Sequence, residues 1–318
     1  MKIKNVCILG GTGFVGQQLV ASLKAKGYQP RVLTRHVHRH RPLWLAGAEL
    51  LETDIFDEWQ LRERFAGMDA VINLVGILNE RGHDGSGFQH AHVDLPRTVA
   101  AACKRQGIQR LLHMSALRAG DPHASSHYLR TKGEGEEVAH SADGLVVTSF
   151  RPSVIFGPKD SFLNKFATLL RLFPVLPLAC PTARFAPVYV GDVVKAFVTA
   201  LEDPASHGQR YNLCGPDSYS LRQLVEYTAR LIGVRPRIIP LDDRWSQRQA
   251  KLFERIPGKP LSWDNYLSLQ LDSVCPFGSE FPFGIQPTPV DAIAPRYLKS
   301  QGYLDRYTDF RARAGRSA

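Results

Sequence analysis

The chain has 318 residues, 44% of them hydrophobic and 22% charged, with a formal net charge of +10. This is ordinary globular composition, enough for one large α/β domain with a smaller appended lobe. It excludes a repeat or low-complexity architecture, since no repeat period is visible and the arginine-rich end RARAGRSA is the one biased tract.

The basic balance suits nucleic acid, anionic lipid or a phosphate-bearing ligand. No zinc pattern, RNA-binding signature or helix-turn-helix spacing supports nucleic acid, so that partner is set aside. Cys7, Cys103, Cys180, Cys214 and Cys275 are scattered and form no CxxC pair. Most lie in apolar settings and read as small core residues, which suits a reducing, cytoplasmic compartment. Met1-Lys2-Ile3-Lys4 leads straight into a strand, so no signal or transit peptide is expected. The apolar stretch 166–181 is cut by Arg171, Pro174 and Pro177, and is not expected to cross a bilayer as a regular helix.

Residues 6–9 form a short apolar run, read as a buried parallel strand. Gly10, Gly13 and Gly16 follow at GxxGxxG spacing, and from Phe14 the pattern turns helical, ending near Gly27. A glycine turn between strand and helix lets the backbone approach a diphosphate, and the helix start offers free amides and a positive dipole end. Gly16 lets the helix pack closely on the strand. Thr12, Phe14 and Val15 complete the expected phosphate cradle.

A second strand is expected over 30–34. An acidic residue at its end would bond the ribose hydroxyls of NAD, but Thr34-Arg35 and then HVHRHR stand there. Arg35 could pair a 2′-phosphate through its planar fork, with Arg39 and Arg41 adding charge, which favours NADP(H) over NAD(H). The histidines lack acidic or cysteine co-ligands, so no metal site is read. Strand three, within 48–55, should bring Asp54 and Ile55 to the adenine edge. Strand four, within 70–77, should bring Val75 and Gly76 to its carboxyl end, followed by a glycine-rich loop, 79–87, expected to be mobile over the site. His83 and Asp84 in that loop read as solvated. Asp94 is expected to start a helix with Pro96 in its first turn. Strand five lies within 108–116 and strand six within 145–158, with Pro152 and Val154 near the cofactor. This alternation predicts an α/β fold: a Rossmann-type doubly wound parallel sheet with a smaller, mainly helical carboxyl-terminal substrate lobe. The expected boundaries are 1–157 and 158–318, with 184–215 returning to the core sheet.

Tyr128 and Lys132 stand at i and i+4 and share a helix face. A phenol of ordinary pKa, roughly 10, is a poor base near neutrality. A neighbouring ammonium and an oxidised nicotinamide would both lower it. Ser115, at the end of strand five, could hold a substrate oxygen while Tyr128 exchanges its proton. Tyr128, Lys132 and Ser115 are the expected catalytic residues.

Further on, 159–173 reads as a helix with Asp160 as cap and Phe162, Phe166, Leu169, Leu170 and Phe173 on an apolar face. Asp192 is expected to cap the next helix, and Ser220 and Gly233 to bound another. In 242–260, Trp245, Leu252, Phe253 and Ile256 share one face, crowded by Arg244, Arg248, Lys251 and Arg255. Such a basic amphipathic helix can lie on an anionic membrane surface or dock on protein.

GGTGFVG, YLRTK, RPSVIFGP and PVYVGDV, in this order, resemble the extended and atypical short-chain dehydrogenase/reductase superfamily. YLRTKGEGEE, RPSVIFGPKDSFLNKFA and APVYVGDVVKAF resemble, within it, the NADPH-binding accessory subunits of respiratory complex I and their bacterial homologues. The resemblance runs from residue 3 to about 233 and is weaker beyond, though LSWDNYLSLQLDSV fits. It implies an NADPH-binding fold, tight cofactor retention, a structural or assembly role, and respiratory-complex subunits as partners. Leu9 stands where extended members often carry threonine, and Ser115 lies in HMSAL rather than a serine-rich run. Two readings follow: a protein holding NADPH at inner-membrane respiratory machinery, peripheral on the cytoplasmic face, or an NADP(H)-dependent oxidoreductase or epimerase acting on a carbonyl, alcohol or quinone-related substrate. A role in quinone biosynthesis follows from family analogy alone.

Overall fold

In a computed structural model, residues 3–40, 43 and 47–299 are described. Arg41 and the arginine-rich end lie outside them. In chain order the first half comprises β1 (Asn5–Leu9), α1 (Phe14–Ala25), β2 (Gln29–Thr34), β3 (Glu49–Glu52), α2 (Glu58–Phe65) and β4 (Ala70–Asn73). Next come α3 (Ser86–Gln89), α4 (Leu95–Gln106), β5 (Arg110–Met114), α5 (His127–His140), β6 (Val146–Pro152) and β7 (Ile155–Phe156). The remainder holds α6 (Leu163–Leu172), β8 (Val175–Leu178), β9 (Arg184–Phe185), β10 (Val188–Tyr189), α7 (Val190–Ala200), β11 (Arg210–Leu213) and β12 (Tyr219–Ser220). It closes with α8 (Leu221–Ile232), β13 (Arg237–Pro240), α9 (Asp243–Phe253), α10 (Trp263–Ser268) and α11 (Val290–Leu298).

Seven parallel strands form one sheet in the order β11-β6-β5-β4-β1-β2-β3. Strand order reverses between β1 and β4, the point at which open α/β sheets carry their ligand crevice outside the carboxyl ends. The strands are apolar on both faces because helices cover both. Val6 and Ile8 of β1 point to the α1–α7 layer with Leu19, Leu23, Val193 and Phe197. Cys7 and Leu9 point the other way, to Leu61, Phe65, Val99 and Ala102 of α2 and α4. A separate cluster packs α6, α8 and the β8–β13 pair into a lobe, with Leu170, Leu178, Leu224 and Val225 at its centre. Among the described residues no helix is long and apolar enough to cross a membrane.

Several local expectations change. Helix starts at Ser86, passes through a π turn at His90–Asp94, and continues into α4, so Asp94 does not start it. Asp94 pairs instead with Arg97 at 3.0 Å. The earlier start follows from Glu80, whose buried carboxylate accepts the amides of Gly85 and Gly87 and supplies the missing acceptor. Asp192 sits inside the first turn of α7, not at its cap. It is buried and accepts from the Thr288 amide at 2.7 Å and Lys195 at 3.0 Å, because the carboxyl-terminal segment returns over it. Phe173 is 51% exposed, outside the apolar face drawn for α6. Cys214 and Cys275 are joined by a disulfide across 61 residues. Two of the five cysteines therefore form one cross-link, from the residue after β11 to the segment before α11, and the cysteine pattern no longer argues for a reducing compartment.

Candidate active site

At the β1–α1 turn Gly10 has φ of +78°, a left-handed conformation that favours glycine. Gly16 needs to be bare for a different reason: a Cβ there would lie 2.3 Å from the Gly10 carbonyl oxygen and 2.5 Å from the Gly11 Cα. Gly11, not singled out in the sequence, is a packing glycine, since a Cβ on it would meet Val32 Cγ1 at 2.8 Å. The Gly13 amide donates to Gly10 O at 3.0 Å, and the Gln17 side chain donates to Thr12 O at 2.9 Å, closing the turn on itself. α1 begins at Phe14 with no side-chain cap and no acidic residue in its first turn. The side chains of Phe14 and Val15 pack on the core. What this turn presents to the crevice is backbone, which is the donor set a diphosphate requires.

At the ends of β2 and β3, Arg35, Glu52, Thr53, Asp54 and Gln60 line an open cavity of about 420 Å³. Arg35 is exposed, and Arg39 stands beyond it in a short 3₁₀ turn. Glu52 accepts the Val37 amide at 3.4 Å, and Gln60 accepts the Asp54 amide at 3.0 Å. Gln60 is a helix residue that no sequence motif marks. Ile55 packs against the core beneath.

At the other end of the crevice, Lys132 is buried and its Nζ donates to Met114 O at 3.0 Å and to Val75 O at 3.5 Å. Its tip lies over Gly76, where a Cβ would come within 2.9 Å of Nζ. Tyr128 stands one turn earlier on α5, edge-on to His92 with ring centroids 5.5 Å apart. His92 is the principal residue missed from the sequence. Its Nε2 accepts the Ile77 amide at 3.0 Å, so Nδ1 carries the proton and donates to Thr131 Oγ1, also at 3.0 Å. Burial and the Lys132 charge push this imidazole down to about 2, which keeps it neutral. Pro152 and Val154 fall at the end of β6, where their carbonyls accept the amides of Leu117 and Val188.

Burial lowers Lys132 to about 8, with Glu136 acting in the opposite sense. Burial and then the Asp264 carboxylate raise Tyr128 to about 12. The lowering expected from the ammonium does not appear among the protein's own groups, where burial and the Asp264 carboxylate both act upward. The hydrogen of the Ser115 hydroxyl is committed within the protein in this arrangement. The hydroxyl donates to Glu136 at 2.5 Å, inside a buried cluster that Arg151 joins at 2.9 Å and Arg210 at 3.1 Å. The loop after β4 is tied down. His83 bonds Glu254 at 2.9 Å, Asp84 accepts from Ser86, and Lys259 donates to Gly82 O at 2.7 Å.

The NAD dependent epimerase/dehydratase family matches residues 6–214. NADH dehydrogenase (ubiquinone) 1 alpha subcomplex subunit 9, mitochondrial, of Mus musculus is 33% identical, over 96% of this chain and 80% of that one. Ceramide reductase of Caulobacter vibrioides is 31% identical, over 75% of this chain and 74% of that one. The solved UDP-glucose 4-epimerase of Thermus thermophilus, a complex with NAD, superposes with a TM-score of 0.63 at 20% identity, covering 82% of this chain and 98% of that one.

Proposed function

Because this chain belongs to the NAD dependent epimerase/dehydratase family, a nucleotide-binding one, we propose that it binds NADP(H) and supports reduction of a carbonyl group. The observation that carries this reading is the pair on α5: a half-buried, neutral phenol at Tyr128 and, one turn on, the buried Lys132 lying over Gly76. The bare turn at Gly10 and Gly13 fits a diphosphate, Arg35 fits a 2′-phosphate, and Lys132 over Gly76 fits the nicotinamide ribose. When bound, the reduced cofactor supplies hydride to the carbonyl carbon. Tyr128 Oη gives its proton to the carbonyl oxygen in the same event, so the product is the alcohol. A phenol pushed up by burial keeps its proton at neutral pH and so has one to give. Lys132, near 8, lies within reach of protonation change and can restore charge balance behind it. His92 stays neutral and braces the floor of the site.

Purified protein should carry NADPH. Absorbance of the bound nucleotide should fall when long-chain ketones or quinones are added, and Tyr128→Phe should abolish that fall while retaining the nucleotide. Turnover surviving in Tyr128→Phe would reject the assignment.

A second reading is a stable NADPH holder attached to respiratory complex I-type machinery at a membrane surface. It is favoured by the 33% identical mouse relative and by α9. Trp245 and Leu252 of α9, and Ile256 in the turn after it, are exposed among Arg244, Arg248, Lys251 and Arg255, with Arg248 stacked over Trp245 at 4.8 Å. On this reading α9 meets anionic lipid or a membrane subunit, and the protein is peripheral. Unreacting bound NADPH, co-purifying membrane subunits and a Trp245 fluorescence response to anionic vesicles support it. Silence of Trp245 counts against lipid.

A further inference from the structure

We infer that Asp264 is a positioning residue for Tyr128: a carboxylate from the last quarter of the chain closes the amino end of the acid–base helix and sets where the phenol stands. This rests on the reading of Tyr128 as the proton donor.

A helix leaves its first backbone amides without internal acceptors. In α5 the local cap is Ser126, and it serves one of them: its hydroxyl accepts the Leu129 amide at 3.2 Å. The first intrahelical bond, Arg130 N to Ser126 O, serves the next at 3.2 Å. The amides of His127 and Tyr128 remain. Asp264 takes both, through Oδ1 at 2.6 Å and Oδ2 at 3.1 Å, from 136 residues beyond Tyr128. Two charge-assisted bonds and an anion at the positive end of a helix dipole act in the same direction. One of these bonds is to the backbone of Tyr128 itself.

Asp264 is itself held. It lies in the first turn of α10, whose start is locked by reciprocal Ser262–Asn265 bonds. Asn265 donates to Leu78 O at 2.9 Å, and Lys259 donates to Gly82 O and to Glu254, both at 2.7 Å. Glu254 in turn accepts the Trp263 amide. Leu78 and Gly82 belong to the loop that follows Gly76, which Lys132 touches. The segment 254–265 therefore braces both sides of the site, the β4 loop and the start of α5. The corresponding amides of α8, Leu221 and Arg222, go to the uncharged carbonyls of Ala183 and Pro181, whereas α5 is closed by a carboxylate. Here it couples the carboxyl-terminal lobe to the phenol. His127 and Glu80 are the other charged or titratable groups that act on this carboxylate.

The test is nuclear magnetic resonance on the full chain with labelled tyrosine ring carbons, the Tyr128 signal being assigned by Tyr128→Phe. Asp264→Asn should lower the Tyr128 titration midpoint by roughly one pH unit. It should also speed amide exchange at His127 and Tyr128 about tenfold or more. Asp264→Glu, which keeps the charge, should restore the midpoint. A folded Asp264→Asn with midpoint and exchange unchanged overturns the inference. The wild-type protein gives an arm that needs no variant. Its His127 and Tyr128 amide shifts should move together through one carboxyl titration, displaced upward from the usual aspartate range because burial opposes the charge. Amide shifts that stay still through acid also overturn it. None of these readouts needs turnover. Absent carbonyl reduction with these shifts present would reject the catalytic reading and leave the positioning role standing.

Discussion

The β1–α1 turn and the start of α5 each bring a helix amino end to the crevice. The first is assembled from seven consecutive residues, 10–16, and its helix begins with no side-chain cap. The second needs Ser126 beside it, Asp264 from 136 residues away, and His92 and Gly76 from two other elements. The amides at α1 are left to a ligand, whereas those at α5 are consumed by the protein. An open helix end can take a diphosphate, and a closed one can hold a side chain still. The two ends of the crevice thus divide binding from orientation, and the means of construction follow the task.

The largest effect expected of this contrast is at the locally built end. Gly16→Val would push side-chain atoms into the Gly10 carbonyl, whose distance from a mere Cβ is already 2.3 Å. A loss of about 3 kcal/mol or more is expected, read as a lower midpoint in urea unfolding. An unchanged midpoint would break the account of the cradle as a close-packed backbone turn. At the tertiary end the lever is pH. His92 and His113 are buried neutral, displaced from 6.5 to about 2 and about 3. For a base whose folded value is depressed, the stability is whole above the unfolded value and is lost as pH falls toward the folded one. Each ring therefore costs about 1.4 kcal/mol per pH unit below 6.5. Unfolding midpoints measured from pH 7 down to about 5, before most carboxylates titrate, should fall steadily. A flat profile there would mean that these rings are not held neutral. The smallest effect concerns the exposed rim. Arg35→Ala should weaken NADP(H) about tenfold, or roughly 1.4 kcal/mol, and leave NAD(H) unchanged by calorimetry. Equal loss for both nucleotides would remove Arg35 from the 2′-phosphate.

Much of the fold was legible because its signals are short in range. The apolar run 6–9, the glycines after it and the alternation through β6 each speak within a dozen residues, and the sheet order follows from right-handed crossovers. Tyr128 and Lys132 were legible for the same reason, as one helical turn sets their common face. The partner of the Ser115 hydroxyl was not legible, because strand-end position says nothing of which way a hydroxyl turns once Glu136, Arg151 and Arg210 are beside it. His92 was passed over because it lies in a π turn, ahead of the point where the sequence pattern starts a helix. The disulfide was invisible because connectivity between distant cysteines is a matter of chain path.

What the amino-acid sequence alone determined is therefore the set of local geometries: a bare glycine turn, buried strands and a phenol one turn from an ammonium. The direction in which that phenol titrates, the carboxylate that seats it and the partner that claims Ser115 were decided by tertiary structure. Backbone dihedrals and helical period act over a few residues, whereas desolvation and the field of a charge depend on which distant segments the folded chain places around a group.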